Sequence, residues 1–403
     1  MKVTVGKGIA AGSVKAPPSK SMAHRLLIAA AFADGTGTVR GISPCQDVSA
    51  TLDCLAALGV DYRGEGDSVT LSGISPCNAA PKASLACRES GSTLRFLIPI
   101  ALLSGNETLL CGAPSLLARP MGVYATLCRE KGLLFEQTAE GIRVKGPLTA
   151  GEYLLPGDVS SQFITGLLFA LPFVDGDSIL RVTPPFESRS YVDLTLSALS
   201  RFGVTVEPID GCTFRIPGNQ RPHACDVTVE GDYSNAAFLE AFNLLGGSVE
   251  ITGLSDTSLQ GDRVYRTLFA QLKEGTPTLS LADCPDLGPI LFSMAAALNG
   301  ATFTDAGRLR IKESDRVECM RAELEKFGAR LRVDGDRVTV EKATLHAPTE
   351  PLCSHNDHRI AMSMAVLATR YTGEILGAEA VAKSFPDFFA YLDALGVRTE
   401  RTE

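Results

Sequence analysis

The chain has no apolar run approaching the length of a membrane span, no C-x-x-C pair, no Cys/His grouping at zinc spacing and no excess of positive charge. The first absence, together with an N-terminus that opens directly in the strand-like alternation Met1-Lys2-Val3-Thr4-Val5, argues against a membrane helix or a secretory leader and points to the cytoplasm. The 11 cysteines are odd in number and scattered, so they read as reduced thiols and not as a disulfide framework or a zinc site. With 38 Lys and Arg against 46 Asp and Glu, a net charge of -8 lacks the basic footprint that nucleic acid requires. Any anion site must then be local, made by a few cations in a cleft. Also missing are G-x-x-x-x-G-K-[ST], a strand-linked G-x-G-x-x-G, H-E-x-x-H and G-x-S-x-G. ATP, dinucleotides, zinc and a serine nucleophile have no support, and neither cofactor nor metal is expected.

What is present is length and repetition. At 403 residues the chain is too long for one ordinary core, so two domains are expected. Small polar and charged runs placed where helices should begin recur at Ser19-Lys20-Ser21, Ser90-Gly91-Ser92, Ser160-Ser161-Gln162, Asp232-Tyr233-Ser234-Asn235, Asp286 and Asn356-Asp357-His358-Arg359. Apart from one shorter interval between the fourth and fifth, they stand roughly 70 residues apart. A second series keeps step with them: Asp47, Arg119, Ser188-Arg189, Asp262, Lys312 to Arg316, and Lys383. A third, Gly59, Gly132, Gly203, Gly275, Gly328 and Gly396, closes the helix that follows. Six copies of one unit imply two domains of three repeats, each copy offering helix N-termini suited to anions.

The first copy shows the unit. Pro17-Pro18 stops an incoming strand, Ser19 caps a helix that ends near Gly35, and Gln46-Asp47 opens a second helix closed by Gly59. Val60 to Tyr62 and Val69 to Leu71 then form a hairpin around Gly64-Glu65-Gly66, giving β-α-β-α-β-β. In the fifth copy Asp286 caps a helix through Leu298. Val317, Met320, Leu324 and Phe327 face inward on the next, and Leu331 to Val333 pairs with Val338 to Val340.

Cations cluster at these starts: Lys20, Arg25, Arg95, Arg119, Lys312, Arg316, Arg359 and Lys383. Arg suits planar carboxylates, whereas Lys, Ser hydroxyls and backbone N–H groups suit phosphates, so the ligands should carry both groups. Taken singly, each is as well explained as a surface cation; the periodic set is not. Asp286 and Glu313 are the carboxylates in the same segments, and each reads either as a cap or rim charge or as a proton acceptor. His358 is open in the same way.

In order and spacing, Pro18-Ser19-Lys20-Ser21 with Arg25, Ser90-Gly91-Ser92-Thr93-Leu94-Arg95, Ala118-Arg119-Pro120, Val159 to Phe163, Lys312-Glu313-Ser314-Asp315-Arg316, Asn356 to Arg359 and Lys383 to Asp387 run from end to end of the chain. Through them it resembles the 5-enolpyruvylshikimate-3-phosphate synthases, the enolpyruvyl transferases of the shikimate pathway. The resemblance implies an α/β fold, a two-domain inside-out α/β barrel, with three β-α-β-α-β-β repeats per domain and an active site in the interdomain cleft. It implies a discontinuous domain of residues 1–19 and 230–403 and an inserted domain of residues 20–229.

Carried over by motif, shikimate 3-phosphate would be held by Lys20, Ser21, Arg25, Ser160, Ser161, Gln162, Ser188, Tyr191, Asp286, Arg308 and Lys312. Phosphoenolpyruvate would be held by Lys20, Gly91, Arg119, Gln162, Arg316, Arg359 and Lys383. Asp286, Glu313 and Lys20 would be catalytic. The protein is then expected to act as a monomer on these two small molecules, with no nucleic-acid or membrane partner. Two positions depart from the family pattern. Glu89-Ser90-Gly91-Ser92 stands where Asn-Ala-Gly-Thr is usual, at the pocket glyphosate is expected to occupy, and Arg308 stands where asparagine is common. A sister family acting on UDP-N-acetylglucosamine carries a reactive cysteine where this chain has Pro114. A non-catalytic binding module would be expected to have lost a clamp cation or carboxylate. A nucleic-acid end-processing enzyme of related repeats would favour a basic surface.

Overall fold

A computed structural model describes residues 1–78 and 83–402. The chain divides into two compact units, Met1–Pro17 with Gly231–Glu403, and Pro18–Glu230. Pro18, Ser19 and Glu230 thus fall in the inserted unit, not in the discontinuous one as the motif boundaries implied. The cause is local. Ser19 N–H donates to the Glu230 carbonyl at 2.8 Å inside that unit, and Asp232 N–H donates to the Pro17 carbonyl at 2.8 Å inside the other.

The repeating unit is clearest in the second copy. Strand Ser84–Ala86 runs parallel to Glu107–Cys111, joined by the helix Gly91–Ala101. After the helix Gly122–Glu130 the chain makes the hairpin Leu134–Gln137 and Ile142–Lys145, whose second strand returns antiparallel beside Glu107–Cys111. Ile142 and Val144 face the core while Lys145 is exposed, the alternation expected of a sheet with one buried face. Among the described residues, five sheets have four strands in this order and one has two.

The repeats are not all contiguous. The first-copy sheet is completed by Val227–Thr228, whereas the incoming strand Ala11–Lys15 pairs instead with Ser248–Thr252. The last sheet takes the N-terminal strand Lys2–Val5 between Gly373–Leu376 and Thr399–Thr402. In the fourth copy the chain leaves the helix Tyr265–Glu274 directly for Thr278–Ser280 of the next sheet. The missing hairpin accounts for the one short interval in the sequence period.

Other local readings shift slightly. The first hairpin pairs Asp61–Glu65 with Ser68–Ser72 and turns at Gly66-Asp67, so Gly64 and Glu65 are extended. A two-residue turn needs positive φ, which Gly66 supplies at 61°. Asp286 does not cap its helix. It lies in the turn Pro285–Leu287 ahead of the helix Gly288–Ala297, whose N-cap position, Leu287, makes no side-chain cap bond.

Each unit has its own core. The helices Gly91–Ala101 and Ser161–Ala170 in one, and Gly288–Ala297 and His358–Ala368 in the other, are buried almost all round, as their near-continuous apolar sequences require. Polar side chains on these helices are few: Ser92, Thr93, Ser161, Gln162, His358 and Arg359 lie in the first turn, where the orphan N–H groups also point, whereas Arg95, Thr165, Ser293 and Ser363 lie farther along.

Candidate active site

In the discontinuous unit the side chains gather on Arg316. This residue opens the helix Arg316–Glu325, whose cap Asp315 accepts from Val317 and Glu318 N–H at 3.1 Å each. Arg316 is 1% exposed and holds three carboxylates. Its Nε donates to Asp357 Oδ2 at 2.8 Å, Nη1 to Asp286 Oδ1 at 3.0 Å and Nη2 to Glu313 Oε2 at 2.6 Å. Burial alone would depress the guanidinium, yet Asp357, Glu313 and Asp286 together hold it above the usual arginine range. Asp286 is a second hub. It pairs with Lys312 Nζ at 3.3 Å and with Arg359 Nη2 at 2.9 Å. Desolvation lowers Lys312, with Asp286 opposing the shift and Arg316 and Arg308 adding to it.

Arg359 follows the cap Asp357, whose Oδ1 accepts its N–H at 2.9 Å, and its Nη1 donates to Ser234 Oγ at 2.6 Å. Buried Lys383 donates to the Asn356 carbonyl at 2.6 Å. Arg308 Nη2 donates to the Ala282 carbonyl at 2.8 Å. The structure thus brings Asp286, Lys312, Glu313, Arg316 and Arg359 into one ion network, and Lys383, from the segment Ala378–Lys383, is bonded to the carbonyl of Asn356 just ahead of Asp357.

In the inserted unit a second group forms around Gly91, the first residue of a helix capped by Ser90. A Cβ on Gly91 would stand 2.8 Å from Arg119 Nη1 and 3.6 Å from Gln162 Oε1. Gln162 is fixed at both ends: Oε1 accepts from Arg95 Nη1 at 2.8 Å and Nε2 donates to Ser92 Oγ at 3.0 Å. Arg119 is buried, and its Nε and Nη2 have no hydrogen-bond partner among the described residues. Buried donors of that kind are rare and fit a site for an anion.

Lys20 pairs with Asp47 Oδ2 at 2.8 Å. Arg25 is turned inward. It donates to the Ser21 carbonyl at 2.6 Å, the Tyr191 carbonyl at 3.0 Å and Thr195 Oγ1 at 2.9 Å, and lies over the Phe96 ring. Burial lowers it to about 10. Ser160 caps the helix Ser161–Ala170 by accepting from Gln162 N–H at 3.3 Å, and Ser161 follows it, buried. Ser188 precedes the helix Arg189–Arg201 in the left-handed region, φ 52°.

Sequence reasoning gave no role to Asp357, Ser234 or Asp47, although all three stand in the periodic runs. Asp357 anchors Arg316 and caps its own helix, Ser234 braces Arg359, and Asp47 holds Lys20. The signal was an acid or hydroxyl at a helix start in step with the cations. Among the described residues no group of three or more His, Cys, Asp or Glu is placed to hold a metal ion, and no helix is long and apolar enough to cross a membrane.

Residues 6–392 match the family model described as EPSP synthase (3-phosphoshikimate 1-carboxyvinyltransferase). The 3-phosphoshikimate 1-carboxyvinyltransferase of Clostridium kluyveri is 37% identical over 408 residues, covering 96% of this chain and 95% of that one. Its counterpart in Clostridium beijerinckii is 38% identical, covering 98% and 97%. In fold, the chain is similar to EPSP synthase from Acinetobacter baumannii, with a TM-score of 0.80 and 24% identity over 100% of both chains. It is similar also to the enolpyruvyl transferase NikO from Streptomyces tendae, with a TM-score of 0.79, 17% identity and coverage of 100% and 98%. The chain belongs to the EPSP synthase (3-phosphoshikimate 1-carboxyvinyltransferase) family.

Proposed function

We propose that this protein transfers the enolpyruvyl group of phosphoenolpyruvate to the 5-hydroxyl of shikimate 3-phosphate and releases phosphate, the step that leads toward chorismate and the aromatic amino acids. The observation that carries the reading is the pair of carboxylates, Asp286 and Glu313, held on one buried guanidinium among Lys312 and Arg359. Addition needs a base for the 5-hydroxyl and a proton for C3 of the enol phosphate, and elimination to the enol ether needs the reverse at C3 with a cation on the departing phosphate.

In this mechanism Asp286 takes the hydroxyl proton as the substrate oxygen bonds to C2, while Glu313 delivers a proton to C3. The tetrahedral intermediate then loses phosphate as its C2–O bond breaks, Glu313 takes a proton back from the methyl group, and Lys20 stabilises or protonates the leaving group. Arg316 and Arg359 fork the carboxylate of phosphoenolpyruvate. Exchange of Glu313 for that ligand carboxylate on Arg316 releases Glu313 from its 2.6 Å ion pair to move the proton. Lys20, Arg119 and Lys383 bind the phosphate of phosphoenolpyruvate, with Gly91 and Gln162 lining its pocket. Ser160, Ser161, Lys312 and Arg308 bind the 3-phosphate of the other substrate, and Ser21, Arg25, Gln162, Ser188 and Tyr191 surround its ring and carboxylate. The 11 cysteines all carry free thiols, which accords with a cytoplasmic setting. A monomer in sedimentation would complete the picture.

The test is phosphate release from phosphoenolpyruvate mixed with either shikimate 3-phosphate or UDP-N-acetylglucosamine, with mass detection of the enolpyruvyl product. Turnover is expected only with the former. Asp286→Asn should lower kcat by about 10²–10⁴-fold. Near-normal turnover with unchanged affinity in that variant would remove Asp286 from the role.

A further inference from the structure

Beneath the inserted unit's anion-binding residues runs a line of buried polar side chains that no step of the reaction uses. His24, one turn after Lys20, is 1% exposed, and its Nδ1 lies 2.7 Å from Thr51 Oγ1. Thr51, one turn after Asp47, lies 2.7 Å from Thr93 Oγ1. Thr93 Oγ1 donates to Ser90 Oγ at 2.7 Å and stands 3.5 Å from the Asp47 carbonyl. Ser90 is the cap of the helix that begins at Gly91.

The protons of this line have one consistent order. Thr93 has a single hydroxyl proton, and both acceptors within its reach, Ser90 Oγ and the Asp47 carbonyl, take it in the same direction along the line. Thr51 must then donate to Thr93 and accept from His24, which requires hydrogen on Nδ1. The ring's other nitrogen agrees, because Nε2 is buried with no hydrogen-bond partner among the described residues. A bare lone pair there is less costly than an orphaned N–H donor. Burial, then the charges of Lys20 and Arg25, keep the ring neutral by holding its pKa well below the usual histidine value.

We propose that His24, as the neutral Nδ1–H tautomer, is a positioning residue for the phosphoenolpyruvate site. Its proton orders the Thr51–Thr93–Ser90 line and so ties together the starts of the three helices that carry Lys20, Asp47 and Gly91. The kinetic part of the test rests on the reaction proposed above, and the spectroscopic part does not. In protein labelled with 15N-histidine, the His24 ring at neutral pH should show hydrogen on Nδ1 and an unprotonated Nε2. The Nε2–H tautomer or an imidazolium would overturn the proposal without reference to turnover.

In kinetics, His24→Phe keeps the ring without the donor, and Thr51→Val breaks the line at its middle. Each should raise the KM for phosphoenolpyruvate about tenfold while leaving that for shikimate 3-phosphate within about twofold. His24→Asn puts an amide N–H at the Nδ1 place and should recover most of the loss. Equal losses for both substrates, unchanged KM in both breaking variants, or no recovery in His24→Asn would each overturn the proposal in favour of a structural role. If the breaking variants do not fold, the tautomer of the parent protein still decides.

Discussion

Gly91 shows how one missing carbon defines a site. An added Cβ would come 2.8 Å from Arg119 Nη1, the far end of a flexible side chain, so the fold can yield but the guanidinium must move. Gly91→Ala is therefore expected to leave thermal stability unchanged and raise the KM for phosphoenolpyruvate about tenfold, equivalent to about 1.4 kcal/mol. Unchanged steady-state affinity would show that Arg119 does not serve that ligand. At this scale the sequence was legible where residues repeat in register: the periodic series marked Lys20, Arg119, Lys312, Arg316, Arg359 and Lys383. It was not legible for Asp357 or Ser234, whose partners Arg316 and Arg359 lie 41 and 125 residues away. Nor could it foresee that Asp286 is a charge hub, since an aspartate just ahead of a helix reads first as a cap.

At the scale of elements, the helix starts were read well because capping is a local matter of one side chain and the next turn. Ser19, Ser90, Ser160, Asp232 and Asp357 all accept backbone N–H groups at the starts where their runs occur. Strand partners were read less well, because pairing is not local. A second element-scale device braces the loop ahead of Asp357. Buried Glu323, on the helix that Arg316 opens, takes Lys326 Nζ at 2.9 Å, Cys353 N–H at 2.8 Å and His355 Nε2 at 2.8 Å. His355 and Asn356 are both left-handed, φ 50° and 55°, so these contacts hold a strained turn. Hydrogen bonds to Cys319 and then Glu323 raise His355 to about 10. A raised folded-state value means the contribution is complete below the unfolded value of about 6.5 and is lost as pH climbs towards 10. Urea denaturation should therefore show stability falling by about 1–2 kcal/mol from pH 6 to pH 10, the figure being reduced for partial solvent screening. His355→Gln should flatten that slope, and an unchanged slope would locate the alkaline loss elsewhere.

For the whole molecule, the exchange of strands decides which part can stand alone. Every described sheet of Pro18–Glu230 draws its strands from within that segment, Val227–Thr228 included. The remainder depends on Lys2–Val5 and Ala11–Lys15. A protein of residues 18–230 should unfold cooperatively in urea, whereas residues 231–403 alone should not. Joining residue 402 to residue 2 by a short linker, so that the order becomes 231–402 then 2–17, should restore cooperative unfolding, because Lys2 and Thr402 are already paired neighbours. Cooperative unfolding of 231–403 alone would show that the first 17 residues are dispensable there.

The same strand exchange sets an order of events during synthesis. Lys2–Val5 leaves the ribosome long before its neighbours on both sides, Gly373–Leu376 and Thr399–Thr402. At about 5–20 residues per second the opening strand waits on the order of tens of seconds for its sheet. The inserted unit can close as soon as Val227–Thr228 emerges. The growing chain thus carries a finished body while Lys2–Val5, whose Val3 and Val5 belong in the core, has no partner strand, and that interval is when a holding chaperone would have most to protect.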